Sequence, residues 1–300
     1  MPLNRGGFLF FPGEDITCMG SVGSALGVAV LMMIAVSTIP SIFLYKRYQT
    51  GQRYRQIRGT AVETPDTVTP GETLFIRGTV TAGNGTDSVT GPVSRTETAL
   101  AAWVIREWYT SDNYWMPKAR GIEAGDIHLS GSAGRVKLPN RFECAQTELG
   151  TRIAGVGAPN IEGVETDDTV VETSEFDTDT EIPPEKSTPS RLATLEQRVG
   201  LDPSTKGWSL PFGRDSGTRN YREVTVDTGD TVTVYGRVDA GARPGAAPTV
   251  SPPKGDALLV STLPPDDLVR RYRWSYWRGF YGLLGVILLF GVFAGTLVYI

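Results

Sequence analysis

One phrase occurs twice in this chain and limits the fold more than any other feature. Val68-Thr-Pro-Gly71-Glu72-Thr73-Leu74-Phe75-Ile76-Arg77-Gly78-Thr79-Val80 returns as Val226-Asp-Thr-Gly229-Asp230-Thr231-Val232-Thr233-Val234-Tyr235-Gly236-Arg237-Val238. The copies keep one offset without a gap, and both run on into Ala-Gly (Ala82, Gly83; Ala240, Gly241). Each reads as a tight turn at the Gly-acid pair, with Gly71 or Gly229, followed by a strand rich in Thr, Val, Ile, Phe and Tyr. The interior glycines, Gly78 and Gly236, predict a bulge or sharp bend in each strand. Two bent strands at opposite ends of one segment predict a curled sheet or small barrel.

Apolar residues gather at the two ends of the chain. Residues 20–45 carry no charge before Lys46, and at the helical rise they are long enough to cross a bilayer. Only Arg5 precedes them as a basic region and no Ala-x-Ala site follows, which argues against a cleaved signal peptide. Residues 279–300 form a second such run, flanked by Tyr272, Trp274, Tyr276, Trp277 and Tyr281 as an aromatic belt. The expected fold class is a membrane protein in which two transmembrane helices bracket a mainly β, barrel-like or curled-sheet domain with minor α content. Residues 1–19 are then a short N-terminal segment, 46–64 a basic juxtamembrane linker and 65–270 the β-rich domain, with an acidic flexible insertion at 160–188. Lys46, Arg47, Arg53, Arg55 and Arg58 follow the first run; Arg270, Arg271, Arg273 and Arg278 precede the second. The positive-inside rule then expects a multi-pass cell-membrane protein with the central domain cytoplasmic and both termini outside. The basic collars read as contacts to the lipid bilayer rather than to nucleic acid. Gly23/Gly27 and Gly291/Gly295 are Gly-x-x-x-Gly pairs that suit helix packing and a homo-oligomer.

Within the central domain, Ala99–Tyr109 predicts a long strand from Trp103 onward, and Ile127–Leu138 a hairpin turning at Gly131–Gly134. Glu162 to Glu185 contains no basic residue and reads as a solvated acidic loop; it lacks the twelve-residue pattern of a calcium loop. Ser190 to Val199 predicts a short helix with Ser190 as N-cap, Leu192, Leu195 and Val199 as its apolar face, and Gly200 as its stop. Asp256–Thr262 predicts a last strand.

Residues that carry chemistry are scarce. With two cysteines, Cys18 and Cys144, and one histidine, His128, neither a disulfide framework nor a metal site is expected. No Gly-x-Ser-x-Gly elbow, Walker loop or Cys-x-x-Cys occurs. His128 alternates with Ile127 and Leu129 as a structural residue would, and nearby Asp126 reads as a strand end. Ser132 and Lys137 are the sharpest catalytic pair, but their spacing across a hairpin is ordinary β sequence. No catalytic residue, cofactor or metal is therefore expected. Neither apolar run holds the ionisable residue that marks a transport pathway. The net charge of −4, with Arg outnumbering Lys, suits a salt-adapted organism and says nothing about fold. Aromatic side chains remain as candidates for an unidentified protein partner. Trp115 in the loop Asp112–Pro117 is the better surface candidate, with Tyr114 and Trp108 beside it; core packing is the favoured reading for Trp103 and the competing one for Trp108.

The order of these motifs carries a resemblance. An apolar segment precedes Pro70-Gly71 with Ile76-x-Gly78-x-Val80, then Gly91-Pro92 before an aromatic strand and the Ser132-Ala-Gly-Arg-Val136 hairpin. Gly229-Asp230 with Val234-Tyr235-Gly236 and Leu258-Leu-Val-Ser261 follow, ahead of the terminal apolar run. This order resembles the GIDE domain, also called the BAM domain, of the mitochondrial membrane-anchored RING-type ubiquitin ligase family and its prokaryotic, including haloarchaeal, relatives. The resemblance implies a domain that senses or engages partners. It does not extend to ligase chemistry, because a RING needs eight Cys/His zinc ligands and Cys18, Cys144 and His128 cannot complete one four-ligand site. The expected function is a membrane-anchored, non-catalytic, partner-binding protein. The alternatives are a component of a ubiquitin-like ligase pathway working with a separate RING, and a membrane-organising scaffold.

Overall fold

The two copies of the repeated phrase pair with each other. The computed structural model describes residues 51, 54–83, 88–110, 114–139, 145–146, 162–166, 168–207 and 214–299. Its strands are β1 (Val62–Glu63), β2 (Thr73–Ala82), β3 (Val89–Thr90), β4 (Glu97–Thr98), β5 (Leu100–Tyr109), β6 (Tyr114–Ala124), β7 (Ile127–Ser130) and β8 (Arg135–Lys137). They continue with β9 (Ala145–Gln146), β10 (Glu162–Glu165), β11 (Thr169–Thr173), β12 (Thr178–Ile182), β13 (Arg219–Val226), β14 (Thr231–Asp239), β15 (Thr249–Ser251) and β16 (Leu258–Ser261). Residues 54–57 are helical, and two further helices follow, α1 (Ser190–Arg198) and α2 (Pro265–Tyr299).

β2 and β14 run antiparallel with Ile76 opposite Val234, the same position of the two copies. Leu74 faces Gly236 and Gly78 faces Val232, so the pair is related by a local twofold axis. The turns reciprocate. Gly71 N–H donates to Val238 O at 2.7 Å and Gly229 N–H to Val80 O at 2.9 Å; Val238 N–H donates to Glu72 O at 2.9 Å and Val80 N–H to Asp230 O at 2.8 Å. Gly71 (φ +96°) and Gly229 (φ +102°) occupy the left-handed region that their turns require. Each Gly-acid turn thus closes the far end of the other copy's strand.

The bulges expected at Gly78 and Gly236 are absent, since the register runs through both without a shift. These glycines admit a neighbouring strand instead. A Cβ at Gly78 would lie 3.2 Å from both Leu129 Cβ and Ser130 O, and one at Gly236 would lie 2.3 Å from Val250 Cγ1 and 2.9 Å from Ser251 O.

Pairing in the order β2-β7-β8-β15-β14, closed by β14 onto β2, makes a five-stranded barrel. β1 extends this sheet past β2, and β16, β11 and β10 extend it past β14, giving nine strands. Ile76, Leu129, Val136, Val234 and Val250 belong to its largest buried cluster. A second sheet, ordered β12-β13-β5-β6-β9, alternates in the way a strand buried on both faces must. Leu100, Ala102, Val104 and Val224 join the cluster of the barrel, while Trp103, Ile105 and Tyr221 join a second cluster with α1.

At nine residues, α1 is too short to stand alone and depends on packing. It buries Leu192 and Leu195, and its C-cap Val199 is buried with them, each contributing about 1.5–3 kcal/mol. Its N-cap is Pro189 rather than the expected Ser190, and the Pro189 carbonyl accepts from Leu192 and Ala193 N–H. Gly200 (φ +68°) ends it: Gly200 N–H donates to Gln197 O and Leu201 N–H to Glu196 O.

The acidic stretch is not the expected flexible loop, because its described residues form β10, β11 and β12. Several of its carboxylates are engaged. Asp177 accepts from Thr225 N–H at 2.7 Å, Asp179 pairs with Arg222 at 2.8 Å, and buried Glu172 accepts from Tyr272 O–H.

The chain divides into two units, residues 50–276 and residues 1–49 with 277–300. In the first, the opening of α2 buries Leu268 and Tyr272 against Phe75, Tyr235 and Leu259. In the second, the Trp277 ring stands 5.9 Å from Phe280 and 6.4 Å from Tyr281. Among the described residues no helix is long and apolar enough to cross a membrane. The two-span fold class is corrected accordingly, as is the multi-pass membrane localisation with a cytoplasmic central domain that rested on it. The run from Phe280 continues a helix that starts at Pro265, as the sequence expects of Asp266–Arg271, and that carries Asp266, Asp267, Arg270, Arg271 and Arg273 in its first turns. The run at 20–45, with Gly23 and Gly27, lies outside the described residues; Gly291 and Gly295 lie on α2.

Asp66 ties the loop before β2 to the β7–β8 turn. It accepts from Ala133 N–H at 2.7 Å, from the Ser132 hydroxyl at 2.8 Å, from Ser132 N–H at 2.9 Å and from Gly134 N–H. These donors, Ala133 first, lower its pKa from 3.8 to about 2. A carboxyl depressed on folding contributes stability above its unfolded pKa of 3.8 and loses it as pH falls toward 2. Asp66→Asn is therefore expected to flatten the acid limb of a plot of urea midpoint against pH in that window. An unchanged limb would show that the turn does not use the charge.

Candidate functional site

β5 changes character along its length: Leu100–Ile105 are buried and Arg106–Tyr109 half-buried. Beside it, β6 opens with Tyr114-Trp-Met-Pro-Lys118, all half-buried. The ladder sets Trp108 opposite Trp115 and Tyr109 opposite Tyr114. The indoles meet edge to face, 5.3 Å between centroids at 66°, a favoured geometry for aromatic pairs. The Arg214 guanidinium lies 5.5 Å from the Trp108 centroid and 5.3 Å from that of Trp115. Glu181 holds it there through two hydrogen bonds of 3.0 Å.

Arg106 lies 5.6 Å from the Trp115 ring and donates to Asn220 Oδ1 at 2.8 Å. Burial, and then the neighbouring Arg222, lower its pKa, against which Asp179, Glu162 and Glu181 act. Cross-strand partners share a face, so Glu181, Asn220 and Arg106 form one row and Asp179, Arg222 and Val104 the next. Arg222 pairs with Asp179 at 2.8 Å and Glu162 at 3.0 Å, and lies 4.4 Å from the Phe176 ring. The apolar part of this face packs in the barrel's cluster; the rest offers tryptophans between positioned arginines.

Of the residues grouped from sequence, Trp108 and Trp115 meet, while Tyr114, opposite Tyr109, belongs to the other face of the same strand ends. Trp115 is on β6 rather than in a loop, and Trp103 is fully buried with its indole N–H on Glu123 at 3.3 Å. Sequence reasoning missed Arg106 and Arg214. Arg106 was findable, because it shares strand parity with Trp108; Arg214 arrives from a distant loop with no local signal.

The opposite face of the sheet encloses a polar network. Arg219 donates to Glu107 at 3.1 Å, to Glu196 and to Asp202 O, and the Tyr221 hydroxyl donates to Glu196. Burial, then Glu196, pushes the Tyr221 phenol well above its usual 10. α1 covers this network, which suits a structural role.

The Ser132–Lys137 pair is split: the Ser132 hydroxyl donates to Asp66, and Lys137 pairs with Asp126 at 2.7 Å. His128 sits in the ladder between Thr81 and Lys137. Among the described residues no group of three or more His, Cys, Asp or Glu side chains is placed to hold a metal. Cys18 and Cys144 lie outside the described residues. Comparison with family models, curated proteins and solved structures gave no match to this chain. Its class is therefore defined by its own geometry, a closed five-stranded barrel carrying a five-stranded sheet with an aromatic–arginine face.

Proposed function

We propose that this chain is a protein-binding module that engages its partner through the Trp108–Trp115 face. The observation that carries the reading is the half-buried indole pair held beneath Arg214, because Trp, Tyr and Arg dominate binding hot spots. Among the described residues Arg106 meets the Asn220 amide and makes no ion pair. A partner segment with an apolar side chain for the indoles and a carboxylate for Arg106 complements this surface. The resemblance to the GIDE/BAM domain, proposed on its motifs, is consistent with such a role.

A photo-crosslinking residue at Thr110, whose side chain reaches the Arg214 backbone beside the indoles, tests the reading in the full chain at native expression level. It is expected to capture one acidic protein partner, with capture falling about thirtyfold in Trp115→Ala, as for a hot-spot loss of about 2 kcal/mol. A capture pattern indifferent to both Trp115→Ala and Arg106→Gln would defeat it. Identification of a ubiquitin-like modifier as the captured partner would place the module in a ligase pathway.

A further inference from the structure

A cleft of about 230 Å³ opens between α1 and the turn Gly91–Thr96 that joins β3 to β4. Three guanidinium groups line it, Arg191 and Arg198 from α1 and Arg95 from the turn, together with Thr90, Thr194 and Leu195. The α1 residues are three or four positions apart and so share one helix face. Arg198 is tied to Glu123 at 2.5 Å. Among the described residues neither Arg95 nor Arg191 makes an ion pair. Two further carboxylates are near: Glu97 faces Thr90 in the β3–β4 ladder, and the buried Glu223 carboxylate lies against Gly91 from beneath.

Arg95 is held at φ +66°, where among the described residues no other non-glycine side chain is found. Glycine would adopt this conformation at lower cost. The turn is fixed from beneath by Glu223, fully buried, which accepts from Val93 N–H at 2.8 Å and Ser94 N–H at 3.1 Å. Arg95 N–H in turn donates to Gly91 O at 2.8 Å. A buried carboxylate thus braces a turn that keeps an arginine in an unfavourable backbone state at the wall of a cleft with two more arginines. Strain that the surroundings over-determine is a pointer to a binding role.

We infer that this cleft binds a phosphate group, either as free phosphate or as the head of a small phosphate monoester. Planar guanidinium forks match phosphate oxygens pairwise, the threonine hydroxyls add neutral donors, and Leu195 offers an apolar wall to an ester's carbon part. The inference is independent of the Trp108–Trp115 reading and uses none of its residues.

Titration calorimetry of the full chain with inorganic phosphate and with glycerol 3-phosphate tests it. Saturable binding that weakens with salt is expected, and Arg191→Gln should weaken it at least tenfold. Arg95→Gly should weaken it comparably while leaving Tm unchanged or raised, because glycine relieves the backbone. Tighter binding of the ester than of inorganic phosphate would identify a monoester ligand, and equal affinity free phosphate. No saturable heat from either ligand at millimolar concentration, or unchanged affinity in both variants, would overturn the inference. A lowered Tm with unchanged affinity in Arg95→Gly would likewise overturn it, by giving Arg95 a purely structural role.

Discussion

Replacing Arg219 with leucine is expected to lower stability by about 3–5 kcal/mol, the usual loss when one member of a buried ionic network is removed. Arg219 is 5% exposed and bridges Glu107 and Glu196, on opposite walls of the space between sheet and helix. Burial works against its charge, but Glu196 and Glu107 outweigh that cost and its pKa is raised. Without the guanidinium, Glu196 is left with the Tyr221 hydroxyl and Glu107 with Lys118 at 3.6 Å, too few donors for two enclosed carboxylates. The destabilisation arises from those stranded groups, so Arg219→Leu combined with Glu196→Leu and Glu107→Leu should be milder than the single change. Urea denaturation measures both; a single-variant loss below about 1 kcal/mol would show the network to be energetically idle. Tyr221 adds a pH signature. Its pKa is raised, so its contribution is complete below the unfolded value of 10 and declines as pH rises beyond it.

The second large effect is expected at the interior glycines of the repeat, and it should be unequal. Gly236→Ala places a methyl group 2.3 Å from Val250 Cγ1 and 2.8 Å from Leu258 Cδ1, a contact that forces neighbours to move. Overpacking of this kind costs about 1–3 kcal/mol. At Gly78 the nearest atoms are Pro65 Cγ at 2.9 Å and Leu129 Cβ at 3.2 Å, so Gly78→Ala should cost less. Val250→Ala should partly rescue Gly236→Ala by removing the closest atom. Equal losses at the two sites, measured by denaturant midpoint, would contradict the packing argument.

What sequence could and could not convey follows from the range of each interaction. The Gly-acid turns and alternating strands of the repeat are local chemistry, so both copies and a barrel-like core were legible. The purpose of Gly78 and Gly236 was not, because a strand that bends and a strand that is closely approached need the same missing side chain. The approaching residues, Ser130 and Ser251, belong to other strands. The acidic stretch looked like a loop for a similar reason: Arg222, Arg214 and Tyr272, which engage its carboxylates, lie well downstream. Trp108 and Trp115 were visible as aromatics, whereas the Arg214 that covers them was not. The apolar end of the chain suggested a free-standing span by composition alone. The start of its helix was legible at Asp266, one residue from the observed Pro265, whereas the burial of Leu268 and Tyr272 against the strands was not.

The reciprocal closure of the two turns sets the order in which the polypeptide can acquire its structure during synthesis. The hairpins β5–β6 and β7–β8 join neighbouring segments and can form as soon as they emerge. The ring itself cannot close until β14 and β15 have been made, because β2 finds its central partner only there. Contacts this distant along the chain place folding on the slow, millisecond-to-second side of the range for small domains. Until that last partner arrives, β2 presents an open edge of the kind that invites association with other nascent chains. The internal duplication that makes the finished barrel self-sealing is thus also what leaves it unsealed for most of its translation.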